Sequence, residues 1–284
     1  MSTPPRIAFF GTPQIAVWVL EELEKAGIVP SLIVTNPDAP VGRKQIMTQP
    51  PVATWGKAHG IPVFQPTSLK NPDDLHTLTE ASWDLFVVVA YGKILPEWLI
   101  NLPTHKTLNV HPSLLPLLRG ASPIRSAILG DIRETGVTIM HMDAEMDHGP
   151  IVAQIKTPTP AWPIPGLELD EIMAHQGGTL LAEVIPKWLR GEITPTEQDH
   201  TKATFCTKIT KEMGEISLKG DHYQNFLKIC AFDGWPGTFF FTEKNGVRMR
   251  IKIVDAKLAE DGSLKILRVI PEGKKEMSYE TFIQ

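Results

Sequence analysis

The run DLFVVVA, Asp84 to Ala90, leads directly into Tyr91-Gly92. After its aspartate it is apolar throughout, rich in valine and too short for a globular helix. A strand with one wet face alternates in polarity. A continuous run instead marks a strand covered on both faces, as in a parallel sheet flanked by helices. Upstream, RIAFF (Arg6–Phe10) has the same character and is followed by Gly11-Thr12-Pro13. That turn predicts a helix to about Ala26, with Thr12 as its N-cap and Pro13 in its first position. SLIVTN and IPVF read as further strands, with PVATWGKAHG between them a helix ending at Gly60. Asn71 is expected to cap a helix through Glu80, with Pro72 at its start. Downstream, TLNVH, GVTIMHMD and PIVAQIK read as strands, before a helix from about Leu167 to Leu189 that Pro186 should kink. Strand and helix signals that alternate in this way predict an α/β fold with a Rossmann-like parallel sheet.

From Pro195 the texture changes. GEITPTEQDHTKAT (Gly191–Thr204) is polar and threonine-rich, as a linker would be. Beyond it a helix is expected over about His222–Ala231. TFFFTE, VRMRIKIVDA and SLKILRVI follow, divided by Asn245-Gly246 and Asp261-Gly262. Such turn pairs between β-branched and aromatic runs predict hairpins, and a small β-barrel of the OB-like kind fits them. The expected organisation is therefore a first domain over 1–191, a linker over 192–204 and a small C-terminal β-domain over 205–284.

Composition narrows the function classes. The chain has 284 residues, 42% of them hydrophobic, and a net charge of −4, which argues against a surface that binds nucleic acid all over. The charge is uneven. Residues 1–195 carry 14 Lys/Arg against 19 Asp/Glu, whereas residues 196–284 carry 14 against 13, so a local basic face is compatible with the second segment. Cys206 and Cys230 are too few for a metal site or a disulfide framework. No apolar run approaches the roughly 20 residues of a membrane span. MSTPPRIAFF has none of the regions of a signal peptide. A cytoplasmic, monomeric protein without membrane contact is expected.

The first turn holds only Gly11, so the three-glycine dinucleotide fingerprint is missing, as is a phosphate-cradling loop. Chemistry concentrates instead in TLNVHPSLLPLLRGASPI, Thr107 to Ile124. Asn109 and His111 lie two apart near the end of a strand and share a face. In open α/β sheets ligands bind at that edge. Downstream, HMDAEMDHGPIVAQ offers Asp143, Glu145 and Asp147. Acyl transfer to an amine requires donors for an oxyanion and a route for protons. An Asn amide and a His oriented by an Asp supply both without a metal or a covalent nucleophile. Taken singly, each of these residues has an ordinary structural explanation, and only the joint pattern points to chemistry.

That pattern resembles the folate-dependent formyltransferase family. The resemblance rests on Asn109-x-His111, Ser113-Leu114-Leu115-Pro116, Arg119-Gly120, Gly136-Val137-Thr138 and Asp147-x-Gly149. It implies that Asn109, His111 and Asp147 form a catalytic trio, and that Ser113, Leu114, Leu115 and Pro116 line a folate site. Val87 to Gly92 matches the strand and loop beside the pterin, which gives Val89, Ala90, Tyr91 and Gly92 as cofactor-binding positions. The implied formyl donor is 10-formyltetrahydrofolate, with no metal. Within the family, Phe10-Gly11-Thr12-Pro13, the loop Thr35 to Arg43, Pro62 to Pro66 and Gly273-Lys274-Lys275-x-Met277 are similar to the enzymes that formylate methionyl-tRNA. The implied acceptor is initiator methionyl-tRNA, contacted by Arg43 and Lys44, with Arg248, Arg250 and Lys252 on one face of a C-terminal strand toward the tRNA body. The C-terminal domain reads as shorter than usual for such enzymes, as if a strand pair were missing. The leading alternative is an amino-sugar-nucleotide N-formyltransferase, which would not need the Arg43 loop. A folate-dependent hydrolase, a non-catalytic RNA-binding module and a metal hydrolase built on His105, His111, His141, Asp143, Asp147 and His148 are the others.

Overall fold

Leu85–Val89 lies inside a seven-stranded sheet with all five side chains buried, as its uniform apolarity requires. In chain order the strands are β1 (Ile7–Gly11), β2 (Leu32–Val34), β3 (Val63–Phe64), β4 (Leu85–Val89), β5 (Thr107–His111), β6 (Thr135–His141) and β7 (Ile151–Thr157). They lie side by side as β7-β6-β5-β4-β1-β2-β3. β1 to β5 run parallel, and β6 is antiparallel to β5 with His111 opposite Thr138. The register sets Gly11 beside Val89, and Val88 beside Asn109. His111 therefore falls just beyond the end of β4, on the carboxyl edge of the sheet.

This computed structural model describes residues 4–42, 44–159, 161–244 and 246–284. They divide into two units: Met1–Arg119 with Gly136–Thr157 and Glu171–Thr204, and Gly120–Thr135 with Pro158–Asp170 and Phe205–Gln284. In the first unit, α1 (Gln14–Lys25) buries Ala16, Val17, Val19, Leu20 and Leu23, the i, i+3, i+4 stripe of an amphipathic helix. α2 (Pro51–Ala58) follows β2. Ala8, Phe10, Leu32, Val34, Phe86, Val88 and Tyr91 form one core with Leu75, Leu78, Trp83 and Leu99. α3 (Pro123–Leu129) lies in the second unit, and α4 (Gly166–Leu189) runs through residues of both. Gly177 of α4 lies against Val110 and Val137, where a methyl group would come within 2.8 Å of Val110 Cγ1.

Two local expectations are corrected. Pro13, not Thr12, is the N-cap of α1, and no side chain caps it. The Thr12 hydroxyl instead donates to Tyr91 O at 2.9 Å and accepts from the Asn36 amide at 3.1 Å, tying the ends of β1, β2 and β4 together. The single helix expected from Asn71 to Glu80 is two short pieces, a 3-10 turn over Pro72–Asp74 and a helical turn over His76–Thr79. The Asn71 side chain does accept from Asp73 N at 3.2 Å, so the cap was legible and the continuity was not. Leu75, fully buried between the pieces, takes a non-helical backbone conformation to reach the core.

The second unit contains α5 (His222–Ala231), capped by Asp221 Oδ1, which accepts from Gln224 N at 2.7 Å. Its four-stranded antiparallel sheet runs β8 (Phe239–Lys244), β9 (Val247–Leu258), β10 (Leu264–Pro271) and β11 (Met277–Ser278), paired in that order. Phe240, Ile251, Ile253 and Val269 bury one face with Ile216. On the other face Arg248 and Arg250 place their guanidinium groups 3.9 and 3.7 Å from the ring centres of Phe241 and Phe239.

Candidate active site

β5 delivers two polar side chains to the carboxyl edge. Asn109 is half-buried, and its amide has no partner among the described residues. His111 is buried, with Nε2 3.1 Å from Leu118 O and Nδ1 3.6 Å from Asp147 Oδ1. A carbonyl can only accept, so Nε2 carries a proton and Nδ1 turns its lone pair toward the carboxylate. At 3.6 Å that gap exceeds hydrogen-bonding distance, and a proton entering it would join the two groups. Burial pushes the His111 imidazole below its ordinary value; the Asp147 charge and the Leu118 carbonyl act against this, and the Arg119 charge adds to it.

The loop carrying Asp147 is tightly set. Asp147 has φ 52°, the left-handed region that only a short polar side chain or glycine tolerates well. Gly149 is needed for space, because a Cβ there would collide with His141 O. Of the other acids in this loop, Asp143 holds His148 Nδ1 at 2.7 Å and Glu145 is exposed. The fold thus sets Asp147 3.6 Å from His111, with Asn109 two residues before His111 on the same strand.

The Ser113–Pro116 segment is held by the Gly136-Val137-Thr138 motif. Thr138 Oγ1 donates to Ser113 O at 2.7 Å and accepts from Leu115 N at 3.2 Å. Gly136 leaves room for Leu114, since a Cβ there would meet Leu114 Cδ2 at 2.6 Å. Ser113 and Leu115 are buried, and the Ser113 hydroxyl donates to Leu117 O at 2.6 Å; Leu114 and Pro116 are half-buried. At the end of β4, Ala90 and Gly92 are exposed with φ 46° and 84°, whereas the Val89 and Tyr91 side chains point into the protein. The Tyr91 phenol has no hydrogen-bond partner among the described residues, and burial pushes its pKa up to about 12. These four positions therefore offer mainly backbone to a ligand.

Between β2 and α2 the chain forms a hairpin, Ala39–Val41 against Ile46–Thr48, exposed at every strand residue. Lys44 is exposed on it, and Arg43 lies outside the described residues. Two residues that the sequence reading did not place in the site also reach it: Arg119, 4% exposed, and Gln198, 4% exposed. Arg119 appeared there as part of a motif without a role. Gln198 sat within a polar, threonine-rich stretch with no periodicity to reveal its burial.

The formyl transferase family model matches residues 5–181. The methionyl-tRNA formyltransferase of Chloroflexus aurantiacus is 42% identical over 86% of this chain and 78% of its own length. That of Halalkalibacterium halodurans is 36% identical over 98% of this chain and 94% of its own. The chain belongs to the methionyl-tRNA formyltransferase family. In fold, this formyltransferase is also similar to the N-formyltransferase of Helicobacter canadensis, solved with folinic acid and dTDP-3-aminofucose, at a TM-score of 0.65 and 17% identity over 96% of this chain and all of that one. No group of three His, Cys, Asp or Glu residues placed to hold a metal ion occurs among the described residues.

Proposed function

We propose that this formyltransferase moves the formyl group of 10-formyltetrahydrofolate to the α-amine of initiator methionyl-tRNA, with Asn109, His111 and Asp147 as catalytic residues. The observation that carries the reading is the Asp147–His111 gap of 3.6 Å beside the uncommitted Asn109 amide. The amine attacks the formyl carbon while the Asn109 amide donates to the oxyanion that forms. The proton lost by the attacking nitrogen is taken into the Asp147–His111 pair, on Nδ1, and a proton returns to the folate nitrogen as its bond to carbon breaks. A neutral buried imidazole next to a carboxylate suits that uptake, because the proton converts a charge and a dipole into a hydrogen-bonded ion pair.

Ala90 and Gly92 supply main-chain donors and acceptors for the edge of the pterin, and the Ser113–Pro116 segment forms the other wall of the folate site. Arg43 and Lys44 contact the acceptor end of the tRNA, and the Arg248–Lys252 face of β9 contacts its body. A monomer in the cytoplasm is the proposed setting; no helix among the described residues is long and apolar enough to cross a membrane. Single-turnover formylation by His111→Ala and Asp147→Ala tests the trio. Each should slow by roughly 100-fold or more, the scale of a lost acid–base group or oxyanion donor. Near-normal rates in both would remove the trio from the chemistry.

A further inference from the structure

We infer that Gln198 is a positioning residue for this reaction: its amide locks the Asp147 loop to Arg119 and thereby fixes the carboxylate against His111. The inference rests on the proposed catalytic role of Asp147. Gln198 Nε2 donates to Asp147 O at 2.9 Å and to Gly149 O at 2.7 Å. Its Oε1 accepts from Arg119 Nε at 3.1 Å and Nη2 at 2.7 Å. Carbonyls only accept and a guanidinium only donates, so every polar valence of the amide is used in a single orientation. Four bonds inside the protein, on a side chain 4% exposed, form a rigid link.

What the link joins gives it a role beyond packing. Leu118, whose carbonyl faces His111 Nε2, is the residue before Arg119. Asp147, which faces His111 Nδ1, hangs from the other end of the amide. Gln198 thus closes a ring around the imidazole, tying the segment on one of its nitrogens to the segment on the other. His200 completes the grip. Its Nδ1 accepts from Arg119 Nη2 at 2.8 Å, and its ring stacks on His148 with centres 4.1 Å apart and planes 3° from parallel. Asp147 is therefore held on both sides, at its own carbonyl and through its neighbours His148 and Gly149. A carboxylate displaced by about 1 Å is enough to cost about 100-fold in rate when geometry limits the step.

The test is a double-mutant cycle on formylation of methionyl-tRNA. Gln198→Glu keeps the bond to Arg119 but turns a second oxygen against the two loop carbonyls, which frees the loop. Gln198→Asn keeps the amide one methylene shorter, so it cannot reach Arg119 and both carbonyls together. Either change should lower kcat by about 10- to 100-fold while the KM values for folate and tRNA stay within about 3-fold, the split expected when only transition-state geometry is lost. In an Asp147→Ala background the same changes should lower kcat by less than about 3-fold, because coupled positions are not additive. Equal losses in both backgrounds, or a folded Gln198 variant with normal kcat, would overturn the inference. If Gln198→Glu does not fold, Gln198→Asn carries the cycle. A near-normal Asp147→Ala enzyme would instead overturn the role of Asp147 itself, so the two failures are distinguishable.

Discussion

His111 has an acceptor on either side, the Leu118 carbonyl and the Asp147 carboxylate, and both favour the imidazolium. Burial outweighs them and holds the folded-state value below the ordinary one. With its value lowered, the imidazole stays neutral, and ready to take a proton, to below about pH 6.5. The acid limb of kcat/KM, which reports the free enzyme, should therefore lie below about 6.5. Asp147→Asn removes the charge that favours imidazolium and should move the limb lower still. A limb above 6.5 that Asp147→Asn does not move would contradict this. By linkage, the native state also loses stability as pH falls below about 6.5, where the unfolded chain binds the extra proton. Asn109, His111 and Asp147 stand out in the sequence as candidates only jointly, through the spacing of their motifs, with strand alternation setting Asn109 and His111 on one face. Gln198 does not stand out, because its partners lie 79 and 51 residues away along the chain and no local pattern announces them.

At the scale of elements, the strands of the sheet could be read directly. Buried parallel strands are written as continuous apolar runs, and RIAFF and DLFVVVA occupy adjacent positions as β1 and β4. Helix ends were less legible, since a cap depends on what else its side chain can reach. Thr12 is drawn off by Tyr91 O and the Asn36 amide, whereas Asp221 caps α5 as its position suggests. The role of Gly136-Val137-Thr138 also emerged only in space, since Thr138 bonds a loop 23 to 25 residues upstream. Phe86, fully buried between Phe10 and Trp83 at ring-centre distances of 5.0 and 5.9 Å, tests the packing of the sheet. Phe86→Ala should lower the free energy of unfolding in urea by about 3–5 kcal/mol, the cost of an aromatic cavity. A loss below about 1 kcal/mol would mean that β4 is not the packed centre of this unit.

At the scale of the whole molecule, charge is unevenly divided: −5 over residues 1–195 and +1 over residues 196–284. Within the second unit the guanidinium groups of Arg248 and Arg250 sit over the rings of Phe241 and Phe239. Stacking keeps a guanidinium ordered while leaving its N–H groups to face phosphate. Replacing both arginines with alanine should weaken tRNA binding and reduce the slope of log K against log salt by about 1 for each phosphate no longer neutralised. Folate affinity should not change. An unchanged salt slope would leave that face as ordinary solvated surface. The central claim is the acceptor, and it is tested most directly by offering the purified protein and 10-formyltetrahydrofolate three amines in parallel: methionyl-tRNA, glycinamide ribonucleotide and an amino-sugar nucleotide. The account predicts formylation of methionyl-tRNA alone; preferential formylation of the sugar or of the ribonucleotide would contradict it.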